Sequence, residues 1–211
     1  MHSRYVTAVD WMRRTLVVLA LAGLAACGQD VPTLPQLGPD DVIVAFGDSL
    51  TYGTGASEGE SYPEVLSQLI GRDVVRAGLP GEQTAGGLRR LPNVLERHRP
   101  KLLLLCLGGN DMLRRIEPAT IEANLRQMVE LARSQGVSVV LIGVPRPALL
   151  PGTADLYHDI AEDLGLPLEA GIFKDVLRDN AYKSDPIHPN AQGYRRVAEA
   201  VAELLRKAGA V

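Results

Sequence analysis

The chain has 211 residues, of which 46% are hydrophobic and 22% are charged, and its net charge is −3. This length is sufficient for one domain with a complete core, and the composition excludes an intrinsically disordered chain. The acidic balance argues against nucleic acid as a partner, because phosphate binding needs a basic surface.

The N-terminus has the pattern of an exported lipoprotein. Met12-Arg13-Arg14 supplies positive charge, and the apolar run Thr15–Ala26 that follows is short for a bilayer span and ends in small residues. Leu24-Ala25-Ala26-Cys27 is similar to a bacterial lipobox, in which the Cys is diacylated and becomes the first mature residue. We therefore predict a signal peptide over residues 1–26 and a lipid on Cys27, with translation starting at Met1 or at Met12. Two alternatives stay open: an ordinary signal peptide that contains a Cys, and an uncleaved anchor.

If the chain is cleaved before Cys27, we expect the mature protein to be an acidic domain that is tethered to the periplasmic side of a bacterial membrane. Loss of residues 1–26 removes three arginines and Asp10, so the net charge falls from −3 to −5. Residues 27–40 hold three prolines and no apolar periodicity, which predicts a tether, and residues 41–211 form the domain. Cys106, the second of two cysteines, lies in an apolar run and is expected in the core.

Five short apolar runs alternate along the domain with segments of helical periodicity. Their apolar residues occupy both faces, which is typical of strands in a parallel sheet that is covered by helices. The predicted strands are Val42–Phe46, Asp73–Ala77, Lys101–Leu107, Ser138–Val144 and Leu166–Ile172.

The segments between these runs predict amphipathic helices. Ser61 and Glu64 have the spacing of a capping box, and Thr84 is expected to begin a helix that Pro92 kinks or delays. Further apolar faces follow over residues 121–132, 155–164 and 194–205. Strand–helix alternation of this kind predicts an α/β protein, a three-layer α/β/α sandwich with right-handed crossovers. Its active site should lie at the carboxyl ends of the strands.

Three loops that follow predicted strands carry residues suited to binding an oxyanion. Ser49 lies in Gly47–Gly53, Gly81 in Gly78–Glu82, and Asn110 in Gly108–Asp111. The Ser49 and Gly81 backbone N–H groups and the Asn110 side-chain amide are the candidate donors. Each loop also has a purely structural explanation: a capping serine, a plain turn, and a turn with an Asx cap.

One histidine combines with Ser49 into a possible nucleophile and base. His188 lies in Asp185-Pro186-Ile187-His188-Pro189, where a carboxylate three residues earlier can fold back onto one imidazole nitrogen. A serine hydroxyl needs such a base, and the base needs an orienting partner. The sequence has no HExxH or CxxC motif, which argues against a metal site, and no G-x-S-x-G motif. Gly53-Thr54-Gly55 lacks the third glycine of a dinucleotide loop.

These segments together resemble the GDSL/SGNH hydrolases. Gly47-Asp48-Ser49-Leu50 looks like the GDSL block, and Gly81, Asn110 and the Asp185–His188 segment match the other three blocks in order. The similarity runs from about Val42 to the last helix and is greatest to the bacterial multifunctional thioesterase/lysophospholipase and arylesterase branch. Arg76-Ala77-Gly78 departs from the pattern, since an Asn often precedes this loop.

The resemblance implies a flavodoxin-like five-stranded sheet of order 2-1-3-4-5 and no cofactor. It implies Ser49 as nucleophile, His188 as general base and then acid, and Asp185 as its orienter. It also implies an oxyanion hole formed by Ser49, Gly81 and Asn110. The expected substrates are small acyl esters or thioesters, such as aryl esters, lysophospholipids or acyl-CoA.

Apolar residues in loops at the same sheet edge could form the acyl pocket. These are Leu113, Pro145, Leu149, Leu150 and Ile187, with ordinary loop packing as the alternative. Two other functions stay open. A carbohydrate O-deacetylase would share every catalytic residue, although the sequence has no Trp beyond Trp11 to stack on sugars. A lipoprotein that only binds a ligand should have lost a triad member, and none is missing. The oligomeric state is left open.

Overall fold

The computed structural model describes residues 31–146 and 154–211, which contain five parallel strands. They are β1 Ile43–Gly47, β2 Val74–Gly78, β3 Leu102–Cys106, β4 Ser138–Ile142 and β5 Leu168–Glu169. The sheet order is β2-β1-β3-β4-β5. The predicted α/β fold and the predicted strand order are both confirmed.

The central strands are buried on both faces, as their composition predicts. Every residue of β1 and β3 is buried, and Ile43 lies in register between Val74 and Leu102. The fifth strand is shorter than the predicted Leu166–Ile172, because the Glu169 carboxylate accepts hydrogen bonds from the Gly171 and Ile172 N–H groups and starts a helix there.

Eight α-helices occur in the described part of the chain. They are α1 Ser49–Tyr52, α2 Tyr62–Ile70, α3 Thr84–His98, α4 Gly109–Leu113, α5 Pro118–Ser134, α6 Asp155–Leu164, α7 Ile172–Arg178 and α8 Ala191–Lys207. Helix α8 packs against α2 and α7, whereas α5 packs against α3 and α6. These two groups form the helical layers of the predicted sandwich.

Local capping explains where two of the helices begin. The capping box of Ser61 and Glu64 is present at the start of α2, as predicted. Helix α3 starts at Thr84, whose N–H and hydroxyl donate to the Asp111 carboxylate at 2.9 and 2.6 Å. Pro92 lies inside this helix and does not delay its start.

Part of the expected tether packs onto the domain. The Leu34 N–H donates to the Ala208 carbonyl at 2.8 Å, the Leu37 N–H donates to the Ala210 carbonyl at 2.9 Å, and Leu37 is buried. The compact unit therefore begins at Val31 rather than at Asp41. Within the described residues the predicted tether is therefore not free, because two of its backbone N–H groups bond to carbonyls near the C-terminus and Leu37 is buried.

Several predicted features lie outside the described residues. They are the signal peptide, Cys27, Leu149 and Leu150. Among the helices within 31–146 and 154–211, none is both long and apolar enough to cross a bilayer.

Candidate active site

Ser49 lies where β1 ends and α1 begins, at the carboxyl edge of the sheet. The Asp48 side chain caps this short helix by accepting from the Leu50 N–H at 3.0 Å. A Cβ at position 47 would lie 2.2 Å from the Thr51 hydroxyl oxygen and 2.3 Å from the Cys106 carbonyl oxygen. Only glycine therefore permits the turn that presents Ser49.

Ser49, His188 and Asp185 form a continuous chain of hydrogen bonds. The His188 Nε2 lies 3.0 Å from the Ser49 Oγ, and the His188 Nδ1 lies 2.7 Å from the Asp185 Oδ2. A carboxylate at Nδ1 favours the tautomer with hydrogen on that nitrogen, which leaves Nε2 as the acceptor for the serine hydroxyl. The structure thus brings together the three side chains that the sequence singled out.

The loop that carries His188 is held by its own hydrogen bonds. The Asp185 Oδ1 accepts from the backbone N–H groups of Ile187 and His188 at 2.8 and 2.9 Å. Desolvation alone would raise the pKa of Asp185, but the hydrogen bonds from His188 and Ile187 outweigh it and hold the pKa below its ordinary value. The carboxylate is therefore ionised at neutral pH and available to orient the imidazole.

Asn110 is the second residue of the short helix α4 after β3, and its side-chain amide faces two protein acceptors. The Nδ2 group lies 3.1 Å from the Asp48 Oδ2 and 3.1 Å from the Glu82 carbonyl oxygen. Both amide hydrogens are thus engaged in this structure. The two bonds fix the orientation of the amide beside Ser49, and an incoming oxyanion would have to share one of its hydrogens.

Asp48 is a buried carboxyl group at the centre of this arrangement. Burial raises its pKa from 3.8 to about 6, although the hydrogen bonds from Leu50 and Asn110 act in the opposite direction. Both of its oxygens accept from N–H donors, which suits an ionised carboxylate.

The other two predicted oxyanion donors are backbone N–H groups. Ser49 is the first residue of α1, a position whose N–H has no carbonyl partner within the helix. Gly81 is exposed, with a φ of 78°, and is not among the described residues that line the cleft at Ser49. Its neighbour Glu82 is buried and provides the carbonyl oxygen that holds Asn110.

A largely apolar cleft of about 390 Å³ opens at Ser49 and His188. Three predicted pocket residues line it, namely Leu113, Pro145 and Ile187. Leu113 and Ile187 are also among the few large apolar side chains that stay exposed, so they form the rim of the cleft rather than its core. A volume of several hundred Å³ with mainly apolar walls is typical of a small-molecule site.

Residues that were not predicted to form the pocket also line this cleft, among them Leu50, Val144, Arg146 and Leu177. Leu177 lies on α7, a helix that was not predicted, although Phe173, Val176 and Leu177 have helical spacing. The prediction of a strand that runs through Ile172 overlaps the first residue of this helix and does not account for the helical pattern.

No group of three or more metal-ligating side chains occurs within residues 31–146 and 154–211.

Comparison with known proteins assigns the chain to a family. The sequence model of the GDSL-like Lipase/Acylhydrolase family matches residues 45–196, which span the Ser49, Asn110 and His188 segments. The chain belongs to this family. It is therefore a hydrolase of the GDSL/SGNH esterase type, as its segments had indicated.

Named relatives of this GDSL hydrolase include an arylesterase from Vibrio mimicus, which is 33% identical over 78% of this chain and 88% of its own length. The thioesterase 1/protease 1/lysophospholipase L1 of Escherichia coli strain K12 is 29% identical over 79% of this chain and 84% of its own. The crystal structure of AlinE4, an SGNH-hydrolase family esterase, superimposes with a TM-score of 0.64 at 32% identity, covering 82% of this chain and 98% of AlinE4.

Proposed function

We propose that this hydrolase cleaves carboxylic esters through a Ser49–His188–Asp185 triad and an acyl-enzyme intermediate. The observation that carries the proposal is the unbroken hydrogen-bond chain from Ser49 to Asp185 in a member of an esterase family. In this scheme His188 accepts the Ser49 proton as the hydroxyl attacks the ester carbonyl, while Asp185 orients the imidazole and stabilises its charged form.

The steps balance with water as the only second substrate. The Ser49 oxygen bonds to the carbonyl carbon, and the oxyanion accepts from the Ser49 N–H, the Gly81 N–H and the Asn110 amide. Collapse of this intermediate breaks the bond to the alcohol or thiol, which takes its proton from His188. Water then attacks the acyl-enzyme with His188 as base, and the acid leaves as Ser49 recovers its proton.

We propose acyl esters with an apolar acyl group as the substrate class. The aliphatic lining contributed by Leu113, Leu177 and Ile187 supports this choice, since such walls bind hydrocarbon better than sugar hydroxyls. The names of the relatives point to aryl esters, lysophospholipids and acyl thioesters as the first substrates to test. Leu149 and Leu150 remain predicted contributors to the same pocket.

We also propose that the enzyme is exported and anchored through a lipid on Cys27. The lipobox-like segment that ends at Cys27 supports this. In membrane fractions and by mass spectrometry, the wild type should carry acyl chains on Cys27, whereas Cys27→Ala should be released as an unmodified chain. An unmodified Cys27 in mature wild-type protein would contradict the anchor.

A fluorophosphonate probe tests the nucleophile directly. It should label the wild type and the control Ser134→Ala, in which an exposed helical serine is removed, but not Ser49→Ala. Turnover of p-nitrophenyl butyrate by Ser49→Ala or His188→Gln should fall by several orders of magnitude, as in other triads. Wild-type turnover in either variant, with the fold intact by circular dichroism, would refute the proposed triad.

A further inference from the structure

Arg90 makes contacts to several segments at the carboxyl edge of the sheet. From helix α3, its Nε and Nη2 donate to the Glu82 carboxylate at 2.9 and 2.5 Å. Nη2 also lies 3.1 Å from the Ala77 carbonyl oxygen at the end of β2 and 3.5 Å from the Gly47 carbonyl oxygen at the end of β1. The guanidinium carbon lies 4.1 Å from the centre of the Phe46 ring.

Its partner Glu82 connects this ion pair to Asn110. The Glu82 side chain is only 5% exposed, and the Glu82 carbonyl oxygen accepts from the Asn110 amide. The Glu82 N–H donates to the Leu79 carbonyl at 3.1 Å and so closes the turn that contains Gly81. The ion pair thus holds the peptide that orients one of the amide hydrogens of Asn110.

We propose that Arg90 and Glu82 form a positioning pair, which holds the Gly81 turn and the Asn110 amide in the geometry needed for acyl transfer. Neither side chain is among the described residues that line the cleft, so the pair acts through Asn110 and the strand ends and not on the substrate. This inference rests on the proposed function, because it assigns the pair to the oxyanion donors of that reaction.

The Coulombic gain of this half-buried ion pair is offset in part by desolvation of the Glu82 carboxylate, since the Glu82 side chain is 5% exposed and that of Arg90 is 26% exposed. The Arg90 guanidinium also supplies directed hydrogen bonds to Glu82 and to the end of β2, and it reaches the last residue before Asp48 and Ser49. Its planar, fork-shaped donor set suits this task, and a lysine could not reproduce it.

Loss of the pair should therefore affect turnover more than substrate binding. Without it the Glu82 carbonyl is no longer held against the Asn110 amide, which would then be oriented by Asp48 alone. Removal of a whole oxyanion donor costs about 10²- to 10³-fold in turnover, so misplacement of one should cost about 10- to 100-fold.

Steady-state kinetics of Arg90→Lys and Glu82→Gln test the proposal in the full-length protein. With p-nitrophenyl butyrate, each variant should lose about 10- to 100-fold in kcat, with KM changed by less than about threefold. Arg126→Gln is the matched control, because it removes an arginine that pairs with Glu122 and Asp163 at 2.8 and 2.7 Å on the α5–α6 side. It should keep wild-type kcat.

A thionoester substrate separates positioning from general damage to the fold. Its sulfur accepts hydrogen bonds weakly and gains little from oxyanion donors, so the preference for the oxygen ester reports on those donors. Both variants should lose much of this preference, whereas a merely structural role would lower the rates of the two substrates equally.

Folded variants with wild-type kcat, or with the oxygen-over-sulfur preference unchanged, would overturn the positioning role. Melting temperatures taken in parallel establish that the variants are folded. Ser49→Ala keeps the two proposals distinguishable: activity in that variant refutes the triad, whereas an inactive Ser49→Ala beside a fully active Arg90→Lys refutes the positioning pair alone.

Discussion

Replacement of Asp48 by Asn should change both the pH dependence of stability and the turnover. The folded protein raises the pKa of Asp48 from 3.8 to about 6, because the carboxyl group is buried. A group whose pKa is raised on folding binds more protons in the native state, so stability falls as the pH rises between these two values. A difference of about two pKa units corresponds to about 3 kcal/mol between pH 3 and pH 7.

The variant isolates this contribution, because Asn does not titrate. All other ionisable groups are the same in both proteins, so their contributions cancel when the unfolding free energy of the variant is subtracted from that of the wild type. This difference should fall by about 3 kcal/mol from pH 3 to pH 7. Urea denaturation at each pH, with equal m-values required for the comparison, measures this difference. A constant offset from changed hydrogen bonds does not affect the result.

Turnover should fall in the same variant for a geometric reason. The two Asp48 oxygens accept from the Leu50 N–H and the Asn110 amide, and an Asn at this position must present its NH₂ group to one of them. Two N–H donors that face each other repel, so the Asn110 amide should move away from position 48. We expect kcat to fall by about 10- to 100-fold as a result.

Two results would refute this reasoning. If the difference in unfolding free energy between wild type and Asp48→Asn is constant from pH 3 to pH 7, burial does not raise the pKa of Asp48. Wild-type kcat in a folded Asp48→Asn protein would show that the carboxylate does not hold Asn110.

Two further predictions follow from the same structure. Leu177→Ala enlarges the cleft and should shift the kcat/KM optimum in a p-nitrophenyl ester series toward longer acyl chains, whereas Leu69→Ala, at an exposed position of α2, should leave the profile unchanged. Gly108→Ala should destabilise the protein in urea by about 1–3 kcal/mol, because φ is 121° and a Cβ would contact a buried tyrosine hydroxyl. Gly136→Ala is the control, because Gly136 has a φ of 73° but open space around it, and this variant should lose less unfolding free energy than Gly108→Ala.

The local pattern of the sequence was sufficient to predict the architecture. Strands that are apolar on both faces are typical of a parallel sheet between two helical layers, and the capping-box spacing of Ser61 and Glu64 is typical of a helix start. The segments around Ser49 and Asn110 were identifiable because the carboxyl ends of parallel strands meet at one edge. His188 and Asp185 were identifiable together, because they lie three residues apart in a loop that contains prolines.

Contacts between distant segments were decided only by the tertiary structure. Residues 27–40 are predicted to form a tether, yet the backbone N–H groups of Leu34 and Leu37 bond to the carbonyls of Ala208 and Ala210. Likewise, no local spacing relates Arg90 to the end of β1, and only folding brings the Glu82 carbonyl and the Asp48 carboxylate to the Asn110 amide. The spacing of apolar residues along a helix or strand indicates which face is buried, but it does not indicate which other element packs against that face. The three side chains that form the hydrogen-bonded chain at Ser49 could therefore be predicted from the sequence, whereas the side chains that hold them in place could not.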